Sequence, residues 1–169
     1  DVFSISVDSA HLFSIGDKVL LVENDSALIT SSWALNSTGQ INTIESIISN
    51  VVFFKSPIRR DYMLSRNPKI VKLNLIENVG IESLKIIRVD STAQQTSNIS
   101  FRYAANCWVK CIESQYCNNA HIEVEKSTNI EITGSYIHGA HNFGGGGKAY
   151  GVLLHYSTGE CLVQENIFD

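Results

Sequence analysis

Asn129-Ile-Glu-Ile-Thr-Gly-Ser135 is a short stretch in which apolar and polar residues alternate, opened by an asparagine and followed by a glycine. Alone it reads as a half-buried β-strand with turn residues at both ends. Its meaning comes from three stretches that can be set beside it: Asn78-Val-Gly-Ile-Glu-Ser-Leu84, Asn106-Cys-Trp-Val-Lys-Cys-Ile112 and Gly159-Glu-Cys-Leu-Val-Gln-Glu165. In this register Ile81, Val109 and Ile132 align, at separations of 28 and 23 residues, and a further step of 31 reaches Val163. A second strand recurs with them, since Ile99-Ser-Phe101, Ile122-Glu-Val124 and Val152-Leu-Leu154 advance by 23 and then 30.

Short strands recurring at this period, with almost no helical periodicity, predict an all-β chain built as a right-handed parallel β-helix, a solenoid. Each coil stacks on the next at about 4.8 Å, so inward residues form apolar ladders and outward residues form polar rows. Leucine-rich repeats share the period but need a leucine spacing that is absent here, and β-branched residues dominate these strands. Asn78, Asn106 and Asn129 recur at the strand entry, where asparagine bends the chain and bonds local backbone, a structural role.

The first part of the chain has a different character. Lys18-Val-Leu-Leu-Val22, Ile41-Asn-Thr-Ile44 and Val51-Val-Phe-Phe54 are apolar runs separated by turn formers, which predicts a small antiparallel β-hairpin region over residues 1–64. Lys55-Ser-Pro-Ile-Arg-Arg-Asp-Tyr62 is expected to leave the sheet, because Pro57 cannot donate to a ladder. Residues 65–75 then serve as a connector, and 76–169 form the coils. The last coil stops at Glu165-Asn-Ile-Phe-Asp169 just after a strand begins, so further coils, a partner or self-association are expected to cover its end.

Composition bounds the function. Of 169 residues 44% are hydrophobic and 18% charged, which is ordinary for a globular domain of this length. The net charge of −4, from 13 basic and 17 acidic residues, gives no footprint for nucleic acid. No apolar run predicts membrane insertion, and Asp1-Val-Phe-Ser4 does not have the form of a signal peptide. Cys107, Cys111, Cys117 and Cys161 lack zinc-site spacing, and Cys107, Cys111 and Cys161 are expected as buried thiols inside apolar strands.

One irregular stretch interrupts the repeat. His138-Gly-Ala-His-Asn-Phe-Gly-Gly-Gly-Gly-Lys-Ala-Tyr-Gly151 is not a phosphate loop, because Ala149 replaces the required hydroxyl and Asn142 the required glycine. It predicts a loop projecting from a corner of the solenoid, with His138 pinning it and His141 solvated. No metal is expected there, since the glycines oppose a helix that would bring His138 and His141 together and no third ligand is in place.

Because Phe101, Val124 and Leu154 align as inward positions, Arg102, Glu125 and His155 should form one outward row. Arg102, His155 and Lys148 are the candidate catalytic residues. Glu125, His138, His141, Tyr136, Tyr150 and Tyr156 are the candidate substrate-binding residues, the tyrosines offering aromatic faces to a sugar. The competing reading of Arg102 with Glu125 is a surface ion pair. Glu123, Glu125 and Glu131 are carboxylates suited to calcium or to a plain wet face. Trp108 is expected on the outward side of its strand, covered by the hairpins, and Trp33 in an exposed loop.

Ala105-Asn-Cys-Trp-Val-Lys110, Gly134-Ser-Tyr-Ile-His138 and Gly144-Gly-Gly-Gly-Lys-Ala-Tyr-Gly-Val152 resemble coils of the pectate-lyase-like superfamily of right-handed parallel β-helix proteins. The resemblance implies a secreted or cell-surface protein, bacterial or phage-related, that binds or cleaves an acidic polysaccharide as a lyase or a glycoside hydrolase-like enzyme. In such lyases a base removes the proton beside the carboxylate while a cation stabilises the enolate, sometimes with calcium as cofactor. A non-catalytic structural or adhesive β-helix that assembles through its open coil is the alternative.

Overall fold

The computed structural model describes residues 2–169, which fall into two compact units, Asp1–Leu75 and Ile76–Asp169. In the first, β1 (Val2–Ser6), β2 (Lys18–Val22), β3 (Gly39–Ile48), β4 (Val51–Ile58) and β5 (Lys69–Leu73) form one antiparallel sheet in the order β1-β4-β3-β2-β5. Alternation in β2 sends Val19 and Leu21 into a core shared with Ile44, Val52 and Phe54.

The first unit departs from the sequence expectation at two places. Strand β4 does not end before Pro57 but runs on to Ile58, opposite Val2. Side-chain amides replace the ladder bonds there: Asn42 Nδ2 donates to the Ser56 carbonyl at 2.7 Å and Gln40 Nε2 to that of Pro57 at 2.7 Å. The stretch read as a connector supplies β5, which pairs with β2 from Val22↔Lys69 to Lys18↔Leu73. Asn67, in the left-handed region at φ 51°, turns the chain into that strand.

Two buried acids hold the loops of this unit. Glu23 accepts from Arg60 at 2.7 Å, from Arg66 at 3.2 Å and from the Met63 amide at 2.9 Å. Asp25 accepts the amides of Asn36, Ser37 and Thr38 at 2.9, 3.0 and 3.1 Å, and the Thr38 hydroxyl at 3.0 Å.

The second unit is built of parallel strands. They are β6 (Ile76–Glu77), β7 (Gly80–Glu82), β8 (Lys85–Ile87), β9 (Ile99–Arg102), β10 (Ala104–Lys110) and β11 (Glu113–Gln115). After them come β12 (Ala120–Glu125), β13 (Thr128–Thr133), β14 (Tyr136–His138), β15 (Tyr150–His155), β16 (Leu162–Gln164) and β17 (Ile167–Phe168). The chain visits three sheets in turn: β15-β12-β9, then β16-β13-β10 with β6 and β7 beyond it, then β17-β14-β11-β8.

The registers follow the repeat read from sequence. Val109 pairs with Ile81 and Ile132, Ile132 with Val163, and Ile122 with Ile99 and Val152. One core draws on all three sheets, with Ile99, Phe101, Ile122 and Val124 from the first, Cys107, Val109, Ile130 and Ile132 from the second and Ile137 from the third.

The corners stack as well. Tyr103, Lys126 and Tyr156 have φ of 53°, 45° and 49°; Asn78, Asn106, Asn129 and Glu160 have 60°, 54°, 54° and 56°; Ser83, Cys111, Gly134 and Glu165 have 53°, 53°, 62° and 53°. Each column turns the chain by one left-handed residue, which disfavours most side chains and explains the recurring asparagines. Asn129 Nδ2 donates to Asn106 Oδ1 at 3.2 Å, and Asn106 Nδ2 to Glu77 at 3.1 Å, so a side-chain ladder runs from Asn129 through Asn106 to Glu77.

All four cysteines are free thiols. Cys107 and Cys117 are buried, but Cys111 is exposed, correcting its expected place in a core strand. β10 ends at Lys110, and Cys111 occupies the left-handed corner beyond it. Among the described residues no helix is long and apolar enough to cross a membrane.

Candidate functional site

Parallel pairing of β9, β12 and β15 places Glu125 opposite Arg102 on one side and opposite His155 on the other. The three side chains therefore form the outward row that alternation predicts. Arg102 Nε lies 3.2 Å from Glu125 Oε2, so the ion pair weighed for these residues is present, on a guanidinium side chain that is 59% exposed. Two residues before Glu125 on the same face, Glu123 is buried. Its Oε2 accepts from the hydroxyls of Ser97 at 3.0 Å and Ser100 at 3.4 Å, while its Oε1 lies 3.1 Å from His155 Nε2 and 3.6 Å from the Arg102 guanidinium.

A cavity of about 650 Å³ opens beside this cluster, with Gln95, Thr96, Ser97, Ser100, Arg102 and Glu123 on its polar side and Phe101 and Cys107 on its apolar side. At the adjoining corner Lys126 Nζ lies 5.5 Å from the Tyr103 ring centroid and 5.9 Å from that of Tyr156. The Tyr156 ring in turn packs on His155, with centroids 4.4 Å apart. Acid, base, cation and aromatic groups thus share one face, which is the composition a sugar-binding site needs.

The remaining candidates lie elsewhere. Tyr136 and His138 belong to β14, on the sheet of β8, β11 and β17, with rings stacked at 4.2 Å. His138 does not pin the glycine loop; its Nε2 donates to Glu113 at 3.0 Å, and Lys85 reaches the same carboxylate at 2.7 Å. Lys85 first, and then His138, hold the Glu113 carboxyl below its ordinary range. His141, expected in solvent, is the histidine that is anchored at the loop. Its Nε2 donates to the Arg88 carbonyl at 2.9 Å, its amide to the Cys117 carbonyl at 3.0 Å, and its ring stacks on Tyr116.

The glycine loop projects as expected. A Cβ added at Gly144, Gly145 or Gly146 would meet nothing within 4 Å, whereas one at Gly147 would strike the Gln95 side chain. Gln95 Nε2 donates to the Gly146 carbonyl at 2.6 Å and so ties the loop to the segment bordering the cavity. Lys148 is half-buried in this loop and Tyr150, at the start of β15, is exposed. Glu131 lies on β13, in a different sheet from Glu123 and Glu125, so the three carboxylates read as a calcium set are split.

Trp108 is outward, as its place beside Val109 implies. Its indole lies over Gly80 of the neighbouring strand and donates to Glu82. Trp33 sits in a single 3-10 turn, Ser32–Ala34, and is 77% exposed. A buried polar network was not legible in the sequence: the Ser114 hydroxyl donates to His121 Nδ1 at 2.8 Å and accepts from Asn98 Nδ2 at 3.0 Å, and His121 Nε2 donates to the Gly139 carbonyl at 2.9 Å. Burial holds the His121 imidazole below its ordinary value, against the Gly139 carbonyl bond that raises it. With Ser114 fully buried, this is a structural network and not a nucleophile.

Glu123 was visible in the sequence as one of two outward carboxylates on a strand, but not as the buried one. Its burial depends on Ser97, and nothing in the pattern of residues 88–98 announces that this segment packs against β12. Tyr103 and Lys126 gave no signal because both occupy corners.

No family model matches the chain, and no curated protein does. Among solved structures, the tailspike protein gp49 from Pseudomonas phage LKA1 is similar to it over 95% of this chain, at 16% identity and a TM-score of 0.52. The Gp54 tailspike of Acinetobacter baumannii bacteriophage AP22, solved in complex with A. baumannii capsular saccharide, is similar over 83% of the chain at 17% identity and a TM-score of 0.42. The chain spans 25% of the length of the first of these proteins and 32% of the second. The gp49 likeness is one of fold.

Proposed function

We propose that this chain engages a polysaccharide across the outward side of β9, β12 and β15 and cleaves it with Glu123 and Glu125, in a tailspike-like protein acting on glycans outside the cell or at a cell surface. The observation that carries the reading is the convergence of a buried and a half-buried carboxylate with His155, donor atoms within 4.8 Å of one another, beside a cavity that Glu123 and Arg102 help to line. A retaining glycosidase needs two carboxyl groups about 5 Å apart, one to attack the anomeric carbon and one to protonate the leaving oxygen, after which water releases the sugar. Tyr103, Lys126 and Tyr156 offer the adjoining stacking and charge for an acidic sugar.

Closure of the three sheets into a right-handed, pectate-lyase-like solenoid belongs to the same reading. It is supported by the shared core and by the strong right-handed preference of parallel crossover connections. Fold alone does not choose the reaction, so the site must. β-Elimination, with Arg102 or His155 as base, is the second reading, favoured by the partly exposed guanidinium at the row's edge.

The test is incubation with alginate, pectate, glycosaminoglycans and bacterial capsular polysaccharides, following reducing ends and unsaturated-uronate absorbance together. Reducing ends without absorbance, reduced about 100-fold or more in Glu123→Gln and Glu125→Gln, support hydrolysis. An absorbance rise that Arg102→Ala and His155→Ala abolish, with Lys148→Ala as a further variant, supports elimination. Product formation untouched by all five substitutions would remove this face as the site.

A further inference from the structure

We propose that Glu123, Glu125 and His155 form a binding site for a divalent transition metal of the zinc class, with Arg102 as a competing cation for the same carboxylates. The three side chains come from adjacent paired strands and each can aim one donor atom at a common point, all within 4.8 Å of one another. Ligand atoms held about 2.1 Å from a tetrahedral ion lie about 3.4 Å apart. Glu123 Oε1 and His155 Nε2, at 3.1 Å, already stand near that separation.

A second observation points to a ligand. His155 Nε2 is buried and has no hydrogen-bond partner, although the Glu123 oxygen is close, so the two groups are near but not aligned as donor and acceptor. With the imidazole proton on Nδ1, the Nε2 lone pair faces the Glu123 oxygen, and a metal ion between the two would use both. The supporting contacts are those a metal site needs. Ser97 and Ser100 occupy Oε2 of Glu123 and leave Oε1 toward His155, while the Tyr156 ring holds the imidazole plane.

The donor set selects the metal. One imidazole nitrogen and two carboxylate oxygens suit zinc and its first-row neighbours, whereas calcium prefers six to eight oxygens. The donor set therefore favours a borderline ion over calcium, for which outward carboxylates alone were suited. Arg102 bears on affinity, because its guanidinium lies 3.2 Å from Glu125 and 3.6 Å from Glu123 yet is 59% exposed, free to move toward solvent when an ion enters.

The proposal rests on donor geometry and not on the glycan reading; an ion held by Glu123 and Glu125 would withdraw both from the hydrolysis proposed above and inhibit it, so metal is titrated without glycan. The full chain carrying Cys111→Ser, which removes the exposed thiol as an adventitious ligand, is titrated calorimetrically with zinc, cobalt(II) and calcium chlorides. One equivalent of zinc or cobalt is expected, with calcium giving no saturable heat. His155→Gln and Glu123→Gln should each weaken zinc about tenfold or more, and Arg102→Gln should tighten it about fivefold. Zinc should also raise the Tm of the parent and not that of His155→Gln, whose partly exposed position tolerates the change if Glu123→Gln fails to fold. Absence of zinc binding, binding unaffected by both ligand substitutions, or a preference for calcium would each overturn the site. Unchanged affinity in Arg102→Gln would remove the competition.

Discussion

Asp25 shows how much a single buried acid can organise. Burial pushes its carboxyl up, but the amides of Asn36, Thr38 and Ser37 and the Thr38 hydroxyl together outweigh that effect and hold it below the ordinary 3.8. A carboxylate with a depressed folded value contributes stability that is present above its unfolded value and lost as pH falls through the folded one. Asp25→Ala should cost roughly 2–4 kcal/mol in urea denaturation at pH 7, because three amides lose their acceptor. The charge part should fade on acidification, so the gap between wild type and Asp25→Asn should narrow below about pH 4. A gap independent of pH would mean that the negative charge contributes nothing.

At the scale of the element, the strands of the second unit are too short to be stable alone and are held by their neighbours. Gly80 in β7 is an instance: a Cβ there would enter the Trp108 indole on β10, so the glycine permits that ring to lie flat on the adjacent strand. Gly80→Ala should displace Trp108, break its bond to Glu82, shift its fluorescence toward the red and lower stability by about 1–3 kcal/mol. An unchanged emission maximum would show that the ring is not held by this contact. The corner columns obey the same logic. Asn106→Ala loses both the side-chain rung to Asn129 and a residue type that tolerates a φ of 54°. It should cost about 1–2 kcal/mol, and Asn106→Gly should recover the backbone part of that loss.

Across the whole molecule, the two units have separate cores. Phe54 belongs to one and Ile132 to the other, and both are fully buried. Ile132→Ala should destabilise by about 2–5 kcal/mol. If the units unfold independently, hydrogen exchange in that variant should quicken through β9–β17 while the amides of β2–β5 keep their protection. Equal quickening in both would reveal one cooperative fold.

The apolar ladders and the outward row Arg102, Glu125, His155 were legible in the sequence because a strand has a fixed period of two and a stacked repeat brings equivalent residues opposite one another. Periodicity carries no information about contacts made by irregular chain. That β5 completes the first sheet, that Cys111 turns outward and that His141 rather than His138 anchors the glycine loop all depend on where corners and loops fold back. The same holds for the site. Alternation along β12 is enough to say which of its side chains face outward. That Glu123 is buried against Ser97 and aimed at His155 comes from tertiary contact, because burial of an outward residue requires a distant segment to cover it.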